Sequence, residues 1–146
     1  MEKRSRVGIV GLSAERGWAT MAHIPALRAL SDVFEIAGVA NTSLPSAQAA
    51  AAAFDIPRAF ANVAELVASP DIDVVVVTVK VPYHREVVAA ALAAGKNVYC
   101  EWPLGNGLAE ATELASLANE TKTQAVVGTQ AIASPEVQFI LSLIHI

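Results

Sequence analysis

Short apolar runs alternate with longer alanine-rich stretches along most of the chain. A continuous apolar run indicates a strand that is buried on both faces, and an amphipathic stretch between two such runs indicates a helix packed on a parallel sheet. The runs predict six strands, at residues 6–12, 34–40, 58–60, 74–77, 97–100 and 124–128. The stretches between them predict helices at residues 19–30, 46–54, 62–68, 83–94 and 108–121. This alternation predicts an α/β fold of Rossmann type, with a doubly wound parallel sheet of order 3-2-1-4-5-6 between two helical layers.

Local signals set the expected ends of the helices. Pro25 is tolerated in the first helix only near its first turn or at a kink. Ser46 is the expected N-cap of the second helix, and Asn62 with Glu65 has the spacing of a capping box. Gly95 is expected to end the fourth helix, because a glycine adopts a left-handed cap without strain.

Composition narrows the classes of protein to which the chain belongs. Its 146 residues are enough for one domain, and its net charge of −4 without a basic run argues against direct binding to nucleic acid. Cys100 is the single cysteine, so no internal disulfide is expected, and the three histidines lack the spacing of metal ligands. The charged start has no apolar leader and no run reaches membrane length, which predicts a cytoplasmic protein without a membrane partner.

The last six residues, LSLIHI, resemble the translated end of a transposase adaptor used in sequencing libraries. We interpret them as such a remnant; the alternative is a natural apolar helix end. On the first interpretation the native domain covers residues 1–140, and residues 141–146, including His145, are excluded from the fold.

The loop after the first predicted strand has the features of a dinucleotide site. Such a site needs a tight turn, a close approach of the backbone to the pyrophosphate, and a helix that begins at the phosphates. Gly11 supplies the turn, Ser13 takes the place of the second glycine with a hydroxyl that can donate to a phosphate, and Gly17 is a displaced third glycine. A purely structural turn is the alternative, since this glycine pattern is imperfect.

The second strand ends at Asn41, where an acidic residue normally binds the adenosine ribose of NAD. Asn41 can bind a ribose but brings no charge against a 2′-phosphate, so with Thr42 and Ser43 beside it NADP is permitted and even favoured. An Asx turn that leads into the next helix needs no cofactor and is the alternative interpretation.

Several segments together resemble the N-terminal domain of the Gfo/Idh/MocA oxidoreductases, a family that includes glucose-fructose oxidoreductase and inositol dehydrogenase. The resemblance spans about residues 6–140 and rests on residues 8–11, 71–77, His84, residues 94–98 and the sequence Glu101-Trp102-Pro103-Leu104. Within the family, residues 10–19, Trp102 and the run from Gln130 to Pro135 look like the branch that contains the fungal galactose-regulon repressor. That repressor binds a nicotinamide dinucleotide but acts through protein contact.

The resemblance implies a role for each matched position. The pyrophosphate would be wrapped by Gly11, Leu12, Ser13, Gly17 and Trp18. The adenosine ribose would meet Asn41 and Thr42, and the nicotinamide side would meet Val79, Lys80, Val81, His84, Glu101, Trp102 and Gln130. The family's usual Thr-Pro-Asn in this loop is Val79-Lys80-Val81 here, and its catalytic lysine falls on Trp102.

Trp102 has no titratable group and cannot carry the proton of a substrate hydroxyl. It is expected either to stack on the nicotinamide or wall off the substrate, or to pack beneath a further domain. Lys80, at the carboxyl end of a central strand, is the candidate for a compensating amine; a solvated lysine is the alternative. His84 either lines the cofactor cleft or has a structural role, and His23 is expected to have a packing or capping role.

Asp71 and Asp73 precede a strand, at the end of the sheet opposite to the expected site, so we interpret them as turn residues. Cys100 is expected to be a small buried hydrophobe rather than a reactive thiol.

These observations predict the NAD- or NADP-binding domain of a Gfo/Idh/MocA-type oxidoreductase that acts on a hydroxyl of a sugar or polyol. The resemblance implies that a C-terminal α+β substrate domain is missing from this chain and that the parent forms homo-oligomers through it. The alternative function is a catalytically inactive NAD(P)-binding transcriptional regulator or sensor of the galactose-repressor type.

Overall fold

The computed structural model describes residues 3–144 and confirms the predicted fold. Six parallel strands form one sheet in the order β3-β2-β1-β4-β5-β6. The strands are β1 (Ser5–Val10), β2 (Phe34–Ala40), β3 (Ala59–Phe60), β4 (Val74–Val77), β5 (Asn97–Glu101) and β6 (Ala125–Gly128). The strand order reverses between β1 and β4, which are paired directly from Val7↔Val74 to Val10↔Val77.

Five helices lie between the strands along the chain, as the sequence pattern predicts, and a sixth helix follows the last strand. They are α1 (Ile24–Ala29), α2 (Leu44–Ala53), α3 (Val63–Ala68), α4 (His84–Ala93), α5 (Leu108–Thr121) and α6 (Pro135–Ile144). Short 3₁₀ turns cover Val81–Tyr83 and Gln130–Ala133. None of the helices among the described residues is long and apolar enough to cross a membrane.

Alternate side chains of each central strand enter two separate cores, one on each face of the sheet. Val75 and Val77 of β4 pack with residues of α3, α4 and α5, whereas Val76 packs with residues of α1 and α2. Continuous apolar strands are therefore required here, because a polar residue on either face would be buried without a partner.

The face that carries α1 and α2 is covered only in part. On β5 and β6, Tyr99 is half-buried and Val126 is 54% exposed on this side of the sheet. A groove of about 590 Å³ runs along this uncovered part, beside α1.

The first helix does not begin as a regular α-helix. Residues Ala19–His23 form a π-helical turn, closed by the Ile24 N–H that donates to the Ala19 carbonyl, and α1 follows from Ile24. Pro25 lies in the first turn of α1, one of the two positions that the sequence allowed for it. A proline nitrogen cannot donate to the carbonyl four residues earlier, which accounts for the break at this point.

The structure corrects the predicted end of the first strand and the predicted start of the second helix. The first strand stops at Val10 rather than at residue 12, because Gly11 turns the chain with φ 102°. The second helix starts two residues before Ser46, and its N-cap is Ser43, whose Oγ accepts from the Ser46 N–H. The predicted N-cap at Asn62 is confirmed, since Asn62 Oδ1 accepts from the Glu65 N–H at 2.9 Å, while Glu65 Oε2 accepts from the Ala61 N–H at 3.1 Å.

The described part of the tail continues α6 through Ile144, while residues 145 and 146 lie outside the described residues. Its large side chains Phe139, Ile140, Leu143 and Ile144 are all more than half exposed. The adaptor origin of residues 141–146, and the domain end at residue 140, stay predictions.

Asp71 and Asp73 lie at the amino edge of the sheet, away from the carboxyl ends of the strands, and bind arginines. Arg6 Nε donates to Asp73 Oδ2 at 2.8 Å and Arg6 Nη1 donates to Asp71 Oδ1 at 2.9 Å. The hydrogen bonds from Arg6 hold the pKa of the Asp73 carboxyl well below its usual range. These hydrogen bonds connect β1 to the residues just before β4. The two carboxylates, which the sequence predicted to be turn residues, thus also stabilise the sheet.

Replacing Asp73 with asparagine should make the domain less stable in a way that depends on pH. The folded-state pKa is lowered, so ionised Asp73 adds stability that is fully present above about pH 3.9, the ordinary value for an unfolded aspartate. This contribution declines as the pH falls from that value towards the lowered folded-state pKa. Thermal melts followed by circular dichroism should show D73N about 3–8 °C less stable at pH 7. The exposed residue Asp32 offers the matched control D32N. An equal deficit at pH 7 and pH 3 would contradict this account.

Candidate dinucleotide site

The carboxyl ends of β1, β2, β4, β5 and β6 lie along one edge of the sheet. The loops that follow them bring together the regions that the sequence singled out, around residues 11–18, 41–42, 79–84, 101–102 and 130. In an open parallel sheet, ligands bind at this edge where the strand order reverses, which here is the β1–β4 boundary.

Gly11 makes the tight turn that the sequence predicted at the end of β1. Its φ of 102° lies in a region that side chains rarely adopt. A Cβ at this position would stand 2.9 Å from Val79 Cγ1 and 3.0 Å from the Val79 nitrogen. The first loop and the loop after β4 therefore pass each other with room only for a glycine.

The hydroxyl of Ser13 organises the enlarged loop from within. Ser13 Oγ lies 3.3 Å from the Glu15 N–H and 3.4 Å from the Arg16 N–H and accepts from both, while Thr20 Oγ1 donates to the Ser13 carbonyl at 2.7 Å. The serine proton itself stays free to donate, as a phosphate contact requires. Leu12 is 1% exposed, so its side chain belongs to the core and only its backbone faces the loop.

Asn41 connects the first loop to α2. Its Nδ2 donates to the Leu12 carbonyl at 2.8 Å and to Ser46 Oγ at 3.1 Å. Asn41 Oδ1 is buried and accepts no hydrogen bond from any described residue. A buried acceptor without a donor costs roughly 1–3 kcal/mol, so the structure leaves one acceptor that a ligand hydroxyl can satisfy. The side chain does not form the Asx turn that was the alternative interpretation.

The loop after β4 carries Val79, Lys80 and Val81. Thr78 Oγ1 donates to the Val10 carbonyl at 3.0 Å and ties this loop to β1. Val79 packs against the core, whereas Lys80 is exposed and takes part in none of the ion pairs among residues 3–144. Its position at the strand end fits either of the two interpretations that the sequence left open.

His84 lies inside the protein rather than in an open cleft. It is 1% exposed, and its ring nitrogens lie 2.9 Å from two carbonyl oxygens, Nε2 from that of Val79 and Nδ1 from that of Pro103. The imidazole thus joins the loop after β4 to the loop after β5. This geometry supports the structural alternative for His84 over a direct contact with the cofactor.

Glu101, at the end of β5, is held by two residues of the first helical segment. His23 Nε2 lies 2.6 Å from Glu101 Oε1, and Trp18 Nε1 donates to the same oxygen at 3.1 Å. The second carboxylate oxygen of Glu101 forms no hydrogen bond with a described residue. His23 also contacts the Tyr99 ring edge to face, with ring centroids 5.4 Å apart.

The sequence did not identify His23 as part of the site. His23 and Glu101 are 78 residues apart in the sequence, and no motif contains both of them. The predicted packing role describes only its contact with Tyr99.

Trp102 follows Glu101 and is 68% exposed. With Glu101 it borders a pocket of about 340 Å³, whose other lining residues are Gly128, Thr129, Gln130, Ala131 and Ile132. Gly128 lies close to the Tyr99 side chain, since a Cβ there would stand 2.9 Å from Tyr99 Cζ. The pocket also contains Gln130, the last of the residues that the resemblance assigned to the cofactor side.

Cys100 is fully buried, as the sequence predicted. Burial raises the pKa of the thiol to about 12, and the nearby charge of Glu101 adds to this rise. The thiol is therefore protonated at neutral pH and cannot act as a nucleophile.

The protein-family model described as "Oxidoreductase family, NAD-binding Rossmann fold" (GFO_IDH_MocA) matches residues 5–129. The chain belongs to this family. The match covers every strand and loop of the site up to the end of β6, so it confirms the resemblance found in the sequence and identifies the domain as NAD-binding.

Relatives of this Gfo/Idh/MocA domain include both a dehydrogenase and a regulator. Dehydrogenase aclE of Aspergillus oryzae is 42% identical over 142 residues, which are 94% of this chain and 39% of that protein. The galactose/lactose metabolism regulatory protein GAL80 of Saccharomyces cerevisiae is 31% identical over 138 residues, which are 89% of this chain and 32% of that protein.

The fold is shared with a solved structure, that of an NAD binding oxidoreductase from Klebsiella pneumoniae. The two superpose with a TM-score of 0.86 at 28% identity, and the match covers 98% of this chain and 39% of the other. The Gfo/Idh/MocA domain described here thus spans between 32% and 39% of the length of these three proteins.

The Cys100 thiol of the folded domain should resist an aromatic disulfide reagent at pH 8. A rise in pKa from 9.0 to about 12 leaves about 1000-fold less thiolate, and burial blocks access as well. Release of the coloured thiol should be fast in denaturant and at least about 1000-fold slower in native buffer. The protein has one cysteine, so the signal reports on Cys100 alone. Prompt reaction in native buffer would contradict its buried position.

Proposed function

We propose that this Gfo/Idh/MocA domain binds NAD(P) within an oxidoreductase that acts on a hydroxyl-bearing carbon of a sugar or polyol. The observation that carries the proposal is Asn41 Oδ1, which has no hydrogen-bond donor among residues 3–144, beside the Gly11 turn at the edge where the strand order reverses. A buried acceptor without a donor is costly in a purely structural loop, and a dinucleotide makes use of that acceptor and of the close backbone approach that Gly11 allows.

The residues of the site fit a dinucleotide. The backbone from Gly11 to Gly17 and the Ser13 hydroxyl would face the pyrophosphate, and Asn41 would accept a hydrogen bond from a ribose hydroxyl. A bound nicotinamide supplies the acceptor or donor of the hydride. The side chains that would hold the nicotinamide end include Glu101, Trp102 and Gln130, which line one pocket at the ends of β5 and β6.

The orientation of Asn41 favours NAD over NADP. Its amide nitrogen already donates to Leu12 and Ser46, so the group that remains for the ribose is an acceptor. The 2′-hydroxyl of NAD can donate to it, whereas a 2′-phosphate is itself an acceptor and offers no such proton at neutral pH. The proposal thus reverses the preference for NADP that an uncharged side chain at this position suggested.

Glu101 is the acidic group nearest to the proposed substrate side. Trp18 and His23 hold one of its carboxylate oxygens, which leaves the other to accept a hydrogen bond from a ribose or substrate hydroxyl. Trp102 cannot move a proton. The proton carrier of the parent enzyme would therefore come from Lys80 or from the part of the parent beyond this chain.

A regulator without catalytic activity is the second candidate function. Trp102 favours it, because the side chain occupies the position of the family's catalytic lysine and the 31% identical relative GAL80 is a regulatory protein. In both functions the domain would bind the same dinucleotide. The cytoplasmic location, the lack of direct contact with nucleic acid and the oligomerisation of the parent through a further domain are part of this proposal.

Calorimetric titration of the chain with NAD and with NADP tests the proposed cofactor site. NAD should bind at least about tenfold more tightly, the ratio that one hydrogen bond of roughly 1.4 kcal/mol produces. N41A should lose that preference while N106A, which alters an exposed asparagine in another loop, keeps it. A folded domain that binds neither dinucleotide would overturn the proposed function, and tighter binding of NADP would overturn the role of Asn41.

The variant W102K in the parent protein separates the two functions. In an oxidoreductase that lacks its usual lysine, a new amine at this position should raise the rate of dinucleotide reduction with a polyol panel by roughly 10²-fold, the lower end for general acid–base catalysis. In a regulator it should leave the protein inert while dinucleotide affinity is unchanged. Wild-type turnover with any member of the panel would by itself exclude the inactive regulator.

A further inference from the structure

We infer that Asn106 is a site of spontaneous deamidation, at which the chain converts its own asparagine into aspartate and isoaspartate without an enzyme. The site lies in the turn that leads from β5 into α5 and does not depend on the proposed function. The observations that support it are the residue that follows Asn106, the exposure of the pair Asn106-Gly107 and the anchored segments on either side of that pair.

Asn106 is the asparagine that the sequence makes most reactive. Deamidation begins when the backbone nitrogen of the following residue attacks the side-chain amide carbon, so a bulky following residue slows it. The five asparagines of the chain, Asn41, Asn62, Asn97, Asn106 and Asn119, are followed by threonine, valine, valine, glycine and glutamate respectively. Glycine has no Cβ beside the attacking nitrogen, whereas a β-branched residue crowds it most.

The turn leaves both reacting groups accessible. Asn106 and Gly107 are exposed, and a Cβ placed on Gly107 would meet no atom of residues 3–144 within 4 Å. Neither the Asn106 side-chain amide nor the Gly107 N–H forms a hydrogen bond with a residue in this described range. The amide is therefore free to turn towards the nitrogen, and water reaches the product of the attack.

The reaction balances with water as its co-reactant. The Gly107 nitrogen bonds to Asn106 Cγ, the bond from Cγ to Nδ2 breaks, and Nδ2 leaves as ammonia with the proton of the Gly107 N–H. The resulting five-membered succinimide takes up water at either of its two carbonyl carbons. Opening at one carbon gives aspartate, and opening at the other gives isoaspartate, in which the main chain runs through the former side chain. No atom is oxidised or reduced.

The isoaspartate product lengthens the main chain between two anchored points. Gly105 is buried against the start of α5, since a Cβ there would stand 2.7 Å from the Ala111 nitrogen. On the other side of Asn106, the Gly107 carbonyl accepts from the Ala111 N–H at 3.2 Å and closes the first turn of α5. An added methylene between these points has to displace one of them, so isoaspartate should loosen the start of α5.

Both products also change the charge at the start of α5. The Asn106 N–H donates to Glu110 Oε2 at 2.8 Å, and Glu110 lies in the first turn of this helix. A carboxylate at position 106 repels that of Glu110, while the amino end of the helix attracts it. The aspartate product keeps the length of the main chain and should therefore disturb α5 less than isoaspartate does.

Ageing of the folded chain, followed by mass spectrometry, tests the inference. Trypsin cuts after Lys96 and Lys122, so a single peptide contains Asn97, Asn106 and Asn119 and carries two internal controls. At pH 8 the amide at position 106 should become an acid at least about tenfold faster than the amides at positions 97 and 119. At pH 6 the reaction should be slower, because the attacking nitrogen must lose its proton. An isoaspartyl methyltransferase should label the aged chain at the same position.

Variants separate the lengthened main chain from the added charge. N106Q should carry no label after ageing, because glutamine forms its larger ring slowly, whereas N119Q, which alters an exposed asparagine of α5, should age like the wild type. N106D has the charge without the extra methylene. The aged wild type should melt about 2–4 °C below fresh N106D, the shift that the loss of one capping contact produces, and aged N106Q should melt like fresh N106Q.

Two results would overturn the modification site. One is equal conversion at positions 97, 106 and 119, and the other is an intact amide at position 106 in the folded chain while the same amide is lost in denaturant. Isoaspartate at position 106 without a change in the melting temperature would confirm the site and overturn its effect on α5. Because the wild-type chain carries its own controls, the result does not depend on the folding of any variant.

Discussion

The pairing of β1 with β2 on one side and with β4 on the other is the constraint on which the rest of the structure depends. It places β1 at the centre of the sheet, buries it on both faces and puts Gly11 where the strand order reverses. The Arg6 network secures this pairing at the amino edge, and the contact of Gly11 with Val79 sets the spacing of the loops at the carboxyl edge. A shift of β1 by one residue would exchange its two core faces and move the turn away from the edge.

Cross-links between loops hold the candidate site in place before any ligand arrives. Asn41 binds the first loop, Thr78 binds β1, and His84 joins the loops after β4 and β5. The contacts of Trp18 and His23 with Glu101 close the series between the first helical segment and β5. These links are hydrogen bonds made by side chains, so the loops are held in place without pairing as strands of the sheet. Such preorganisation reduces the ordering that a ligand must impose on binding.

The sequence predicted the sheet well because apolar runs such as residues 74–77 have no alternative to a buried strand. The predicted helix starts were wrong where two or more local conformations have similar energies. Ser43 and Ser46 are both good caps, and the geometry of Pro25 decided in favour of a π-helical turn that no residue pattern announces. The site was predicted only as far as motifs extend along the chain. The His23–Glu101 contact depends on how two distant segments pack, and the burial of His84 depends on two carbonyl oxygens that the sequence does not mark.

The contacts of Trp18 and His23 with Glu101 have a consequence for the residues that position 102 can accept. Trp18 and His23 hold the Glu101 carboxylate, whereas the side chain of Trp102 is largely exposed. The side chain at position 102 can therefore vary without removing the two contacts that hold Glu101. The contacts that position Glu101 and the choice of residue at position 102 therefore place separate demands on the sequence.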